Sequence, residues 1–567
     1  MPRAGAFLPT APLRAALAVV LLAAQPGGVQ AQSQAQYQVQ SQANRPISAI
    51  DWLDQGSDFA ALPRPAPELN IPLQPPRPPL GDLAEPPVAE RIIKPEVTTH
   101  ALNAQQAGAV GLLPRRVTGL PADLWQGSLP ATLTRRIDAL DLTDTPALQS
   151  LLYSLLLAET LPPEAPGSNQ TANRTAGHDF LLARIDKLTA MGAVDPALAL
   201  AERADPTSHP AIFARWFDLS LLAGDDHRAC SALRDRPALS PSDAALTFCR
   251  AMLGQYDLAV LTFGNAAALG MLTQSEETLL RLYLDPELAE ETPPLPPPAR
   301  PSPLAFRLAE AIGTPLPTGG LPRAYAMTDL RGTSGWRAEI EAAERLTQSG
   351  ALTENRLLGI YTAREPAASG EPWDRVEAIQ QLDAAISASN RDRAARALPA
   401  AWSALQAAAL DVPFARLWAV TLVDMDLGAA RGDDIDADQI ANILFDMAML
   451  SPEYETLAAR LPRPDARRKF LAALAVGEPG TATAPDVTAQ AIQRGFAPET
   501  ELPTLIRLDL QQGKLGEAML QSMALLAQGA EGATKDIAPA LAALRRMGLE
   551  DTSRRAALQL MLLERGL

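Results

Sequence analysis

The sequence is poor in the side chains that most enzyme sites use. Its 567 residues include two cysteines and four histidines, and aromatic residues make up 5% of the chain. The motifs G-x-S-x-G, S-x-x-K and H-E-x-x-H do not occur, nor does a phosphate-binding glycine loop. No histidine is spaced with another, or with a cysteine, as metal ligands are; the four are His100, His178, His209 and His227. These absences favour a protein with no catalytic residues, no metal and no cofactor.

Long hydrophobic runs and lysine are also scarce. After the amino terminus no segment of about 20 residues is apolar enough to cross a membrane, so no transmembrane anchor is expected. The chain has 49 basic residues, of which five are lysine, and its net charge of −16 argues against binding nucleic acid by bulk charge. The excess of arginine over lysine and the abundant alanine are typical of a high-GC bacterial genome.

Residues 1–31 have the composition of a signal peptide. Arg3 and Arg14 give a positive start, residues 15–24 form a short apolar core, and residues 29–31 resemble a cleavage site that ends at Ala31. The apolar core is too short for a permanent membrane anchor. We therefore expect export to the periplasm with cleavage near Ala31.

Residues 32–114 are rich in glutamine and proline and are predicted to form a disordered or extended tether. An apolar cluster interrupts the tether at residues 46–59, and it consists of Ile47, Ile50, Trp52, Leu53 and Phe59. Such a cluster is typical of a docking motif. The pattern leaves open whether it docks on a partner or on the protein's own helices.

From residue 115 onward the apolar residues recur at helical spacing, for example at Ile440, Ile443, Leu444 and Met447. Frequent proline and glycine residues predict short helices in antiparallel pairs. A proline tract at 291–302 divides this region, because helices cannot run through it. We predict an all-α fold with one helical array at 115–290 and another at 303–567.

A pattern of glycine, four variable residues and alanine begins at Gly192, Gly224 and Gly254, and a partial copy begins at Gly513. The first three copies are 32 and 30 residues apart, and in each the glycine would permit a tight turn between two helices. The third copy continues with Phe263. These positions resemble the second helix of a tetratricopeptide repeat. The resemblance implies an α-solenoid that binds partners on its surface.

The two cysteines are predicted to form a disulfide bond. Cys230 and Cys249 are equidistant from a helix-breaking turn at Pro237–Pro241, so an antiparallel hairpin would place them face to face. An oxidising compartment favours their pairing. The alternative is a pair of buried free thiols.

Four further segments resemble an exported alphaproteobacterial family of unknown function. They are residues 311–317, 335–337, 355–361 and 367–374. Some members carry the label "antifreeze glycopeptide polyprotein". That label requires Ala-Ala-Thr repeats or a flat threonine-rich face, and this sequence has neither. The resemblance supports an envelope location.

These observations predict a non-enzymatic periplasmic scaffold that binds protein partners of a cell-envelope assembly. An enzyme that acts on peptidoglycan, or an activator of such an enzyme, is an alternative, although the motifs of a lytic transglycosylase domain are absent. A solenoid that binds sugar or lipid is a weaker alternative, because it would need an apolar or aromatic-lined cavity.

Overall fold

The protein is all-helical in a computed structural model that describes residues 109–164, 170–293, 295–432 and 435–563. These residues form 26 α-helices and no strand. One isolated parallel bridge joins Leu113 to Ala158. The predicted all-α fold, built from packed pairs of helices, is confirmed.

The helices are short, and most are joined by tight turns. The first eleven are α1 (Arg115–Thr118), α2 (Pro130–Ala139), α3 (Pro146–Leu157), α4 (Gln170–Ala190), α5 (Val194–Arg203), α6 (Pro210–Ala223), α7 (Asp226–Asp235), α8 (Asp243–Met252), α9 (Tyr256–Ala268), α10 (Gln274–Leu284) and α11 (Pro286–Glu291).

The remaining fifteen follow the proline tract. They are α12 (Pro303–Ala311), α13 (Ala326–Asp329), α14 (Trp336–Gln348), α15 (Glu354–Tyr361), α16 (Trp373–Ser387), α17 (Arg391–Ala407), α18 (Asp411–Asp424), α19 (Ala437–Leu450), α20 (Tyr454–Arg460), α21 (Ala466–Ala475), α22 (Val487–Phe496), α23 (Thr504–Gln511), α24 (Leu515–Ala530), α25 (Ile537–Arg546) and α26 (Glu550–Leu562).

Polar side chains cap several of these helices at their first turn. At α10 the Thr273 hydroxyl accepts from the backbone N–H of Glu276, and the Glu276 carboxylate accepts from the Thr273 N–H. Ser302 caps α12 in a similar way, and Pro303 follows it at the first helical position. These residues satisfy backbone donors that have no partner inside a helix. The sequence therefore specifies where many of the helices begin.

The core is built mainly of leucine and alanine. In α3, nine of twelve residues are buried. The hairpins α8–α9 and α16–α17 pack closely, as do α22 and α25, which are not consecutive in the chain. Small side chains allow such helices to approach each other. Low aromatic content is consistent with this mode of packing.

A fully buried arginine ties the start of the described chain to the core. The Arg184 guanidinium donates to the carbonyls of Leu156 (2.7 Å), Val110 (2.8 Å) and Ala158 (3.2 Å). Burial lowers the pKa of Arg184 to about 10, so the group stays charged at neutral pH. Its hydrogen bonds compensate for the loss of water around the charge.

The first described helices pack against the last ones. Helix α3 contacts α26, where the side-chain oxygen of Gln559 accepts from the Ala147 N–H at 2.8 Å. Helix α2 contacts α24, and Arg136 pairs with Glu517 at 3.2 Å. The predicted arrays therefore touch each other, while their proposed boundaries at 290 and 303 stay a prediction.

Candidate functional site

Three consecutive helix hairpins carry the glycine pattern found in the sequence. Gly192 lies between α4 and α5, Gly224 between α6 and α7, and Gly254 between α8 and α9, with φ angles of 84°, 83° and 75°. Gly513 lies between α23 and α24 with φ 73°. A side chain is unfavourable at such angles, so glycine allows each turn to be short.

Small residues line the seam inside these hairpins. Ala197 and Ala201 are fully buried on α5, and Ala259 and Ala266 are buried on α9. In the last hairpin this stripe lies between α8 and α9. Because the stripe has little bulk, the two helices pack closely along one side of α9.

The two cysteines connect the second hairpin to the third. Cys230 lies on α7 and Cys249 on α8, both are buried, and their Cα atoms are 4.8 Å apart, at disulfide distance. The described residues contain no other cysteine. The bond therefore fixes α8, and with it the hairpin that includes α9.

The outer side of α9, together with the turn that follows it, is the main exposed apolar surface of the described chain. Six of its thirteen exposed large hydrophobic side chains lie between residues 256 and 271; they are Tyr256 (50%), Leu258 (47%), Val260 (44%), Leu261 (59%), Leu269 (73%) and Met271 (61%). Helix α9 packs chiefly on α8 and to a lesser extent on α10. We call this surface the α9 face. Exposed patches of this kind mark interaction sites.

The α9 face is unusual for the end of a run of repeats. Terminal units normally present a polar outer side, which keeps the stack soluble. Here the third hairpin, α8–α9, ends the run with an apolar side. The later helix α12 does not cover that side, because it packs on α6 and α10. Gly264 lies in the middle of this face, and a Cβ built on it would meet no atom within 4 Å in the part of the chain that the structure describes.

Two clefts offer alternative sites. The larger, of about 590 Å³, lies beside α20 and α21 and is lined mainly by alanines, together with Arg463, Lys469, Thr481 and Thr483. Its lining has no carboxylate and no aromatic ring. It therefore lacks the acid/base pair of a glycosidase and the stacking wall of a sugar site.

The second cleft, of about 320 Å³, contains charged groups. The Lys187 ammonium donates to the carbonyls of Asp138 (3.1 Å) and Leu140, and burial lowers its pKa. Hydrogen bonds from Thr143 lower the pKa of Asp141. A general acid needs a raised pKa, so Asp141 is unsuited to that role.

The structure brings together two histidines that sequence spacing leaves unrelated. The rings of His178 and His209 have centroids 4.7 Å apart. The ring nitrogen Nδ1 of His209 accepts from the Ala211 N–H at 3.2 Å, which caps α6. Within the described ranges, no group of three or more His, Cys, Asp or Glu residues could hold a metal ion.

Three predicted features lie wholly or mostly outside the described residues. They are the signal peptide, residues 1–31, the tether up to residue 108, and the apolar cluster Ile47, Ile50, Trp52, Leu53 and Phe59. Among the helices that are described, none is both long and apolar enough to cross a membrane.

Comparison with protein-family models, curated proteins and solved structures found no match to this chain.

Proposed function

We propose that this protein is a non-enzymatic scaffold of the periplasm, with tetratricopeptide-like hairpins that bind protein partners of a cell-envelope assembly. The α9 face is the observation that carries the proposal. It is apolar, lies at the end of the repeat run, and is held by a helix whose buried side already packs on α8. Covering such a surface with another protein removes apolar area from water.

Export is supported by two independent features. Residues 1–31 carry the signal-peptide pattern, and Cys230 and Cys249 lie at disulfide distance. Disulfides persist in the periplasm and are rare in the cytosol. An acidic net charge of −16 also suits a partner that is a protein and not nucleic acid.

The clefts favour a scaffold over an enzyme. The larger cleft offers cations and hydroxyls, and the smaller one offers an aspartate, Asp141, whose lowered pKa keeps it ionised. Neither lining combines a hydroxyl nucleophile with a histidine base. The α9 face, in contrast, has the apolar composition that protein-binding surfaces use at their centre.

Site-specific photo-crosslinking in living cells tests this function. A photoreactive amino acid at position 261 should form covalent adducts with a protein, because Leu261 is at the centre of the α9 face. The matched control is position 487, since Val487 is 66% exposed but lies on α22. Equal adducts from both positions, or none from position 261, would contradict the proposal.

A further inference from the structure

We propose that the apolar segment at residues 46–59 docks on this protein's own larger cleft, the one beside α20 and α21. The segment lies outside the described residues, and its sequence leaves open whether it binds a partner or the chain's own helices. Three features favour the chain's own cleft: the charge of the cleft, the charge of the segment, and the length of chain between them. The inference goes beyond the proposed function, because it concerns a surface other than the α9 face.

The larger cleft has an apolar floor. Helix α21 and its C-cap contribute Ala466, Ala473 and Val476, which lie on one side of the helix because they are seven and three residues apart. Helix α20 adds two more alanines. These small side chains leave a volume of about 590 Å³, which is large enough for a bulky side chain. Val476 is 44% exposed, so an occupant would remove apolar area from water.

Two cations stand in the lining of this cleft. Arg463 donates through Nε to the Ala458 carbonyl at 3.2 Å, and neither Arg463 nor Lys469 forms an ion pair with a described residue. The acidic residue between them in sequence, Asp465, caps α21 and lies 3.6 Å from Arg468. In a protein with a net charge of −16, the cleft is therefore a local positive surface, which attracts an acidic segment.

The remaining wall of the cleft is formed by residues 481–483. It supplies the side chains of Thr481 and Thr483. The acidic residues on either side of this wall, Glu478 and Asp486, do not line the cleft, and Asp486 is the N-cap of α22. A carboxylate that entered the cleft would therefore meet cations and hydroxyl donors.

The segment at 46–59 carries the complementary charge. It contains Asp51, Asp54 and Asp58 and has no basic residue. A tryptophan and a leucine lie between the first two aspartates. Such a mixture of large apolar groups and carboxylates matches a cleft that combines an alanine floor with two cations.

The other two surfaces fit this segment less well. On the α9 face, the 18 residues from Leu258 to Ser275 include no basic residue, and Asp257 precedes them. An aspartate placed there would lose water without gaining a cation. The smaller cleft is lined by Asp138 and Asp141 as well as by two cations, so its aspartates would repel those of the segment.

The start of the described chain lies close to the larger cleft. The Leu113 N–H donates to the Leu157 carbonyl, at the end of α3, at 2.9 Å. Helix α3 packs on α26, and α26 packs on α21, where Arg467 donates to the Met561 carbonyl at 2.7 Å. Because α3 is about 18 Å long and packed helices lie about 8–10 Å apart, Leu113 is within about 40 Å of the cleft.

The chain between the segment and this point is long enough to reach. Residues 60–108 comprise 49 residues. A flexible chain of that length has an r.m.s. end-to-end distance of about 40 Å, and proline extends it. Because this span matches the distance to the cleft, the tether would hold the segment at a high effective concentration there, and even a weak contact would be populated.

Photo-crosslinking in the purified mature chain tests where the segment docks. A photoreactive amino acid in place of Trp52 should form an intramolecular crosslink to residues 458–483, which mass spectrometry of the digested protein locates. The matched control is position 73. Leu73 is closer in sequence to the first described helix but lies in the proline-rich part of the tether. It should crosslink to residues 458–483 far less than position 52.

Charge reversal tests the ion pairs. R463E/K469E should lower the crosslink from position 52 to the cleft by about fivefold or more, because attraction of the aspartates becomes repulsion. Adding D51K/D54K to the same chain should restore the crosslink. This restoration also shows that R463E/K469E leaves the cleft folded.

The matched control for the reversal is R507E/K535E. Arg507 and Lys535 are exposed, and neither lines the larger cleft. Their reversal changes the net charge by the same amount and should leave the crosslink unchanged. Raising the salt concentration to about 0.5 M should weaken the crosslink in the unmodified chain, because salt screens exposed charges.

Three outcomes would overturn the proposal. The first is a crosslink from position 52 that falls mainly outside residues 458–483, or that R463E/K469E does not reduce. The second is a covalent dimer in place of the intramolecular product, which would place the segment on a second copy. The third is an adduct with a different protein in cells and no intramolecular product. Position 261 tests the α9 face separately, so the proposed function stands or fails independently.

Discussion

Trp125 packs against Gly516 on the side where any other amino acid would carry its side chain. A Cβ on Gly516 would lie 2.6 Å from Cζ3 of Trp125 and 2.8 Å from the carbonyl oxygen of Leu124. The Gly516 N–H donates to that same carbonyl at 2.9 Å. The contact joins the segment before α2 to the start of α24.

The substitution Gly516→Ala is therefore expected to lower the free energy of unfolding by about 1–3 kcal/mol, because the methyl group would overlap a buried ring. Urea denaturation followed by circular dichroism measures the change. The control is Gly359→Ala in α15, where a Cβ meets no described atom. That variant should gain about 0.5–1 kcal/mol. Equal effects at the two positions would contradict the packing.

Loss of the Cys230–Cys249 bond should destabilise the protein by roughly 3 kcal/mol, because the bond closes a loop over a sequence separation of 19. The measurement compares the Tm of the unmodified chain with that of the double variant C230A/C249A. Reductant should lower the Tm of the unmodified chain and leave that of the double variant unchanged. An unmodified chain that is insensitive to reductant would show that the thiols are not bonded.

Arg375 and Glu344 form a buried ion pair whose two partners depend on each other. Arg375 donates to both carboxylate oxygens of Glu344, at 2.8 and 3.0 Å, and the Tyr361 hydroxyl donates to the same carboxylate at 2.6 Å. Arg375→Leu should cost about 3–5 kcal/mol in unfolding free energy, because it leaves a buried carboxylate unpaired.

The exposed pair of Arg337 and Glu341 provides the matched control for that substitution. Arg337→Leu should change the unfolding free energy by less than about 1 kcal/mol. Replacing both Arg375 and Glu344 by leucine should recover part of the loss. A double variant that is as unstable as the sum of the single variants would argue against their coupling.

Asp218 should make the stability depend on pH. Burial raises its pKa to about 6, with Arg215 opposing and Asp186 adding to the shift. Because the folded-state pKa is above the unfolded value of about 3.9, the protonated form is favoured on folding, and stability falls as the pH rises from about 4 to 6.

Asp218→Asn should therefore be more stable than the unmodified chain at pH 7.5, by about 1–2 kcal/mol after solvent screening, with the difference vanishing near pH 4. Urea unfolding of both proteins at the two pH values measures this difference in stability. Because the other carboxylates are the same in both proteins, their contribution cancels when one free energy of unfolding is subtracted from the other. A difference that is constant with pH would contradict the raised pKa.

The hairpins could be predicted because their signals are local. Gly254 permits the tight turn between α8 and α9. Ala259, five residues later, is small enough to let the two helices pack closely. The approach of Cys230 to Cys249 is also a local consequence of two helices around one turn. Such spacings can be read directly from a sequence.

The exposure of the α9 face could not be predicted in this way. Leu258 and Leu261 are of a residue type that is usually buried, but they are 47% and 59% exposed. Whether such a position is buried depends on whether a later helix packs over it. Here α12 packs on α6 and α10 and not on the outer side of α9. The contact of Trp125 with Gly516 is likewise non-local, since 391 residues separate the two.

The packing of α3 on α26 has a consequence for how this protein can evolve. Open repeat arrays gain or lose units at little cost, because each unit contacts its neighbours alone. Deleting or duplicating a hairpin here would pull the Ala147 N–H away from Gln559 and leave the leucines of α3 without cover. Relatives are therefore expected to vary in loop length more readily than in hairpin number.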